Sequence, residues 1–125
     1  MPFRHKHDGG DLSAIFVHAG AGFHSHQNEK LHLNAVNDAA KTAITILKNG
    51  GEAVDAVEMA VRVLEDREIT NSGYGSNLTM EGKVECDATM VDHLGRSGGV
   101  GAVSREYLPI HDLSVTVASC RTYPY

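Results

Sequence analysis

At 125 residues the chain has room for one domain with a modest core. With 42% hydrophobic and 22% charged residues its composition is that of a folded globular protein, and a net charge of −5 argues against nucleic acid or another polyanion as partner. Two cysteines, Cys86 and Cys120, are too few for a disulfide framework, and no apolar run approaches the ~20 residues that span a bilayer.

Residues 1–13 are polar and lack the apolar centre of a signal peptide, so they read as a disordered leader, with the cytoplasm or nucleus as the expected location. Ala14 to His18 is a short β-prone run that reads as a buried strand, followed by the loop Ala19-Gly20-Ala21-Gly22. Val36, Ala40, Ala43 or Ile44, and Leu47 then recur at helical spacing, and Gly50-Gly51 ends that helix. A second helix starts near Glu52, with Val54, Val57, Val61 and Leu64 on its apolar face, so the pair is expected to form an antiparallel helical hairpin. Thr70 to Asn77 is small, polar and glycine-rich, which predicts a loop. A short strand is expected around Leu78 to Met80. After Glu81-Gly82, the alternation of Val84, Cys86, Ala88 and Met90 with Glu85, Asp87, Thr89 and Val91 marks a strand with one buried face. Gly98 to Val103 predicts a last strand. A strand, two helices and then antiparallel strands form an α+β pattern, with helices layered on a sheet.

Taken one at a time, the chemistry-bearing motifs read as ordinary structure. The glycines at 20 and 22 would let the backbone approach a ligand, yet no Gly-Lys-Ser/Thr or G-x-G-x-x-G accompanies them, and a tight turn suffices. The segment from Leu64 to Gly75 leaves a helix C-terminus, where unpaired carbonyls can gather round a hard cation or simply reverse the chain. Cys86 lies on the apolar face of its strand, as a buried inert thiol would, between Glu85 and Asp87 on the other face. His18, His24, His26 and His32 are close in sequence; a solvated loop explains them as well as a metal site does.

In combination the segments resemble one family, the threonine-nucleophile asparaginases, which includes plant-type asparaginase (isoaspartyl peptidase), glycosylasparaginase and threonine aspartase (taspase). The resemblance rests on Ile15-Phe16-Val17-His18-Ala19-Gly20-Ala21-Gly22, Leu64-Glu65-Asp66, Thr70 to Leu78, Gly82 to Asp92 and Gly98 to Val103, in register over about ninety residues. Ala19, Gly75-Ser76-Asn77-Leu78 and Glu85-Cys86-Asp87-Ala88 lean toward the threonine aspartase branch.

That resemblance implies an N-terminal nucleophile (Ntn) hydrolase with an αββα sandwich, here incomplete: residues 14–104 would be its N-terminal part and residues 105–125 a divergent tail. It also implies a precursor that cleaves itself before a threonine, whose hydroxyl then attacks an amide while its own α-amine serves as base. The substrate would be asparagine, a β-aspartyl peptide or a protein bond after aspartate, with no cofactor required. Asn71 matches an asparagine that orders the nucleophile, and Gly20, Ala21 and Gly22 match the loop bordering the scissile region. Leu64, Glu65, Arg67, Thr70, Ser72 and Tyr74 match a loop whose main-chain carbonyls bind sodium in the asparaginase branch; for the threonine aspartase branch the ion is left open.

The family's catalytic threonine is followed by Val-Gly, and none of Thr42, Thr45, Thr70, Thr79, Thr89, Thr116 and Thr122 is. The chain is therefore expected to lack the nucleophile and to be inactive alone. Two expectations follow: an enzyme by descent, completed by a second subunit or a homodimer, or a non-catalytic product that associates with the full-length protein or folds poorly.

Overall fold

The structure, a computed structural model, describes residues 12–20 and 25–104. Helix α1 (Glu29–Lys48) and helix α2 (Ala53–Glu65) lie against each other as the expected helical hairpin. The connection between them follows from two glycines. Gly50 adopts φ +80, and the amides of Gly50 and Gly51 close the last turn of α1 by donating to Leu47 O (3.0 Å) and Ile46 O (2.9 Å). A Cβ at residue 51 would run into the Ile46 side chain, so the second glycine is needed for close approach and the first for its backbone angle.

The interface between the helices is built from alanine. Ala39, Ala43 and Ala56 are fully buried and Ala60 nearly so, with Ile46, Leu47, Val63 and Leu64 packed around them. Ala43 and Leu47 on α1 and Leu64 on α2 are thus where the spacing put them, and the rest of each expected face is corrected. Val36 and Ala40 are only half-buried, and Val57 and Val61 on α2 are 43% and 40% exposed. Small side chains at i, i+4 let the backbones come close, and the bulkier valine row of α2 is left outside that contact.

The strand expected at residues 14–18 has no ladder partner among the described residues and is not a strand there. Its side chains alternate instead: Ile15 and Val17 pack on the alanine core, and Phe16 is 93% exposed. A run that reads as apolar throughout thus offers one face to the helices and the other to solvent.

Beyond α2, residues 73–75 form one 3-10 turn. The short strand expected at residues 78–80 is not a strand but runs into a turn over residues 79–83: Gly82, at φ +76, donates to Thr79 O, while Thr79 donates to Lys83 O and Lys83 to Thr79 Oγ1. Met80 is fully exposed at its tip.

Strands β1 (Glu85–Val91) and β2 (Ser97–Ser104) pair antiparallel, close to the expected bounds. The five-residue connection, residues 92–96, is built around Asp92, whose amide donates to Arg96 O, while Gly95, at φ +75, donates to Asp92 O. The register shifts between Cys86 and Ala88, so that Gly101 and Ala102 together face Asp87. Ala102 is held at φ +52, a left-handed conformation rare for an L residue, and its amide donates to Asp87 Oδ1 at 2.6 Å.

No residue of this hairpin is fully buried. The principal contacts join α1 to α2, α2 to the 3-10 turn and β1 to β2; among the described residues no comparable contact links a helix to either strand.

Candidate active site

The segment from Leu64 to Asn77 is held by its own groups. Thr70 is 7% exposed, and its hydroxyl lies 2.6 Å from Leu64 O and 3.1 Å from Arg67 O. The Arg67 amide also donates to Leu64 O (3.1 Å), the Thr70 amide to Arg67 O (3.3 Å), and the Gly75 amide to Ser72 O (3.2 Å). Gly73, at φ +57, lies against Glu65: a Cβ there would sit 2.6 Å from both the Glu65 Cβ and its carbonyl oxygen. Gly75 faces the carbonyls of Arg67, Glu68 and Thr70 so closely that no side chain fits. Arg67 reaches back to α1 with an ion pair, Nη2 to Asp38 Oδ2 at 2.7 Å.

This packing presents Asn71. The residue is exposed, and its Oδ1 accepts the amide of Asn77 at 2.8 Å, which closes the loop over residues 71–77. Its amide nitrogen is left to meet other partners. Ser76, one residue before Asn77, places its hydroxyl 3.5 Å from the Cys86 thiol and so links the loop to β1. Cys86 is half-buried on the inner face of β1, as the alternation predicts, with Glu85 and Asp87 exposed on the other.

Of the loop expected to border the scissile region, Gly20 is described, at φ +97; Ala21 and Gly22 lie outside the described residues, as does His24. Gly20 edges an open hollow of about 300 Å³ that is also lined by Ser25, His26, Glu29 and His32 at the start of α1. His26 and Glu29 are well exposed and 4.0 Å apart. Among the described residues no group of three or more His, Cys, Asp or Glu is arranged to hold a metal ion.

Of the six residues matched to a sodium loop, Leu64, Arg67 and Thr70 are joined by hydrogen bonds, and the carbonyls of three of the six are engaged. Leu64 O accepts two hydrogen bonds, Arg67 O faces both the hydroxyl and the amide of Thr70, and Ser72 O accepts one. The threonines of α1 are also engaged, Thr42 Oγ1 donating to Asp38 O and Thr45 Oγ1 to Lys41 O. Thr116 and Thr122 lie outside the described residues.

Two features of the hairpin escape a reading of the sequence by alternation. The Asp92 carboxylate accepts the amides of Leu94 and Arg96 and pairs with the Arg96 guanidinium at 2.6 Å. Desolvation within the turn pushes its pKa up, and those hydrogen bonds with the nearby positive charge outweigh it, holding the carboxyl below its ordinary 3.8. The signal for this turn is the Asp92-His93-Leu94-Gly95 spacing, a side-chain acceptor followed by a glycine free to take positive φ. The signal for the bulge is Gly101 inside a strand.

Comparison with known proteins places these segments. Residues 12–116 match the family model described as Asparaginase. The chain is 41% identical over 102 residues to an isoaspartyl peptidase/L-asparaginase of Danio rerio, a match that spans 79% of this chain and 32% of the relative. It is 44% identical over 91 residues to the Mus musculus protein of the same name, with 72% of this chain and 27% of the relative covered. A plant-type L-asparaginase of Pyrococcus furiosus is 44% identical over 94 residues, or 74% of this chain and 30% of the relative. The chain thus spans about three-tenths of the length of these relatives. With a family match over most of its length, the chain belongs to the asparaginase family of Ntn hydrolases.

Proposed function

We propose that these residues are the supporting part of a threonine-type amide hydrolase and that the attacking hydroxyl is supplied from outside them. The observation that carries this reading is the Asn71 loop, a tightly packed segment that leaves Asn71 exposed with its side-chain oxygen held by the Asn77 amide. An amide nitrogen held in this way is suited to order a neighbouring threonine hydroxyl or to stabilise a developing oxyanion. No threonine of the chain is followed by Val-Gly, which supports an external nucleophile. In the proposed enzyme a threonine freed by self-cleavage attacks the substrate carbonyl, with its own α-amine as base and no cofactor. The names of the relatives favour asparagine and isoaspartyl (β-aspartyl) dipeptides as substrates; cleavage after aspartate in proteins is the alternative within the family. Residues 14–104 would form the N-terminal part of an αββα sandwich.

A second reading, a non-catalytic chain that associates with a longer relative, is favoured by the exposed Val57 and Val61 and by a hairpin with no buried residue. One experiment addresses both. The purified chain is offered asparagine and a β-aspartyl dipeptide, alone and after co-expression with the part of the Danio rerio relative that this chain does not cover. The enzyme reading predicts turnover only in the co-expressed sample, and Asn71→Ala should abolish it. Stable association without turnover would favour the second reading, and turnover by the chain alone would overturn the external nucleophile.

A further inference from the structure

We propose that the Thr70 hydroxyl is the cross-link that rigidifies the Asn71 loop, in the place where the resemblance puts a sodium ion. An ion gathered by main-chain carbonyls needs several of them with lone pairs directed to one point. In this chain the loop's own donors are already there. Thr70 Oγ1–H lies between Leu64 O and Arg67 O, 2.6 Å from the first and 3.1 Å from the second. The Arg67 amide takes the other lone pair of Leu64 O, and the Thr70 amide shares Arg67 O. Ser72 O is engaged by Gly75 N. Half of the six matched carbonyls therefore carry hydrogen bonds from within the loop.

The hydroxyl is well placed for the task. Thr70 is 7% exposed, so water competes poorly for its proton, and a buried hydrogen bond of this kind is expensive to lose. It spans from the end of α2 to the residue just before Asn71, and so fixes where the exposed amide begins. Thr70 is a positioning residue, acting through Asn71 and not on a substrate. The inference concerns the loop alone; its failure would leave the catalytic proposal untouched.

Trypsin can read the loop directly, because it cleaves after Arg67 when the loop opens. Cleavage after Arg62, inside α2, reports loss of the whole fold, so the ratio of the two rates isolates the loop. The full chain would be digested in sodium chloride and in N-methyl-D-glucamine chloride at equal ionic strength. Alongside it would run Thr70→Ser, which keeps the hydroxyl, and Thr70→Val, which removes it with little change in shape. The expected result is an Arg67 to Arg62 ratio that is the same in both salts for the unsubstituted chain, close to unchanged in Thr70→Ser, and raised about tenfold in Thr70→Val. A ratio lowered severalfold by sodium in the unsubstituted chain would overturn the proposal, as would Thr70→Val behaving like the unsubstituted chain. Should Thr70→Val lose its fold altogether, the salt comparison and Thr70→Ser still decide the question.

Discussion

The helical hairpin and the β-hairpin are stabilised in opposite ways. The helices bury a contiguous alanine stripe and seal their connection with a glycine pair, so the core of the described residues lies between α1 and α2. The strands bury nothing completely, and each has one edge without a ladder partner among the described residues. What organises the strands is polar and local: the Asp92 turn at one end and the Asp87–Ala102 hydrogen bond at the other. A close-packed small-residue interface satisfies itself, whereas a two-stranded ribbon is marginal until a further layer covers it. The Asn71 loop is tied chiefly to the helices, by the Thr70–Leu64 hydrogen bond, the close approach of Gly73 to Glu65 and the Arg67–Asp38 ion pair.

The sharpest way to break this contrast is to overpack the alanine interface. Ala39→Leu inserts three carbons where the side chain is fully buried and should destabilise the helix pair by about 3 kcal/mol in denaturant unfolding followed by circular dichroism. A loss under a few tenths would mean that the helices are not closely packed. Next comes Gly73→Ala, which adds a Cβ 2.6 Å from Glu65 at a residue with φ +57; a loss of about 2 kcal/mol is expected. Because Glu65 ends α2, this loss should appear in the helical signal too.

Substitutions in the β-hairpin should act more weakly and in both directions. Ala102→Gly relieves the left-handed strain at φ +52 and should stabilise the bulge by about 0.5 kcal/mol, visible as slower exchange of the residue 102 amide. The smallest effect is the pH dependence of the Asp92 turn. Its carboxyl has a lowered pKa in the folded state, so the turn's contribution is fully present above about pH 3.8 and is lost as the pH falls through the lowered value. Protection of the Asp92 and Gly95 amides should follow that curve, and Asp92→Asn should flatten it. An unchanged pH profile in the variant would remove Asp92 from the account.

Much of this was legible in the sequence, though unevenly. The two helices and their glycine connection follow from spacing and from what glycine permits at a helix end. The faces were read only in part: Ala43, Leu47 and Leu64 were placed, but a search for bulky apolar residues also selects Val57 and Val61, while the interface selects Ala39, Ala56 and Ala60 for their lack of bulk. Alternation located β1 and a small apolar run located β2, but neither showed the bulge between them, because a register shift depends on the partner strand. Residues 79–83 form a turn in place of a strand at 78–80 because Thr79 finds its partners in Lys83 and Gly82, a local solution that β-propensity does not register. For the candidate site, residue type gave a loop of ambiguous purpose, and only the family resemblance singled out Asn71. Neither route found the Thr70 bridge, which exists because the fold brings two carbonyls to one hydroxyl.

Amide hydrogen exchange on the purified chain tests the contrast between the two hairpins most directly. The amides of Ala39, Ala43, Ala60 and Gly75 should exchange on the order of a hundredfold more slowly, after correction for intrinsic rates, than the ladder amides of β1 and β2. Equal protection in the two regions, or greater protection in the strands, would contradict a self-sufficient helical support beside a ribbon that awaits its covering layer.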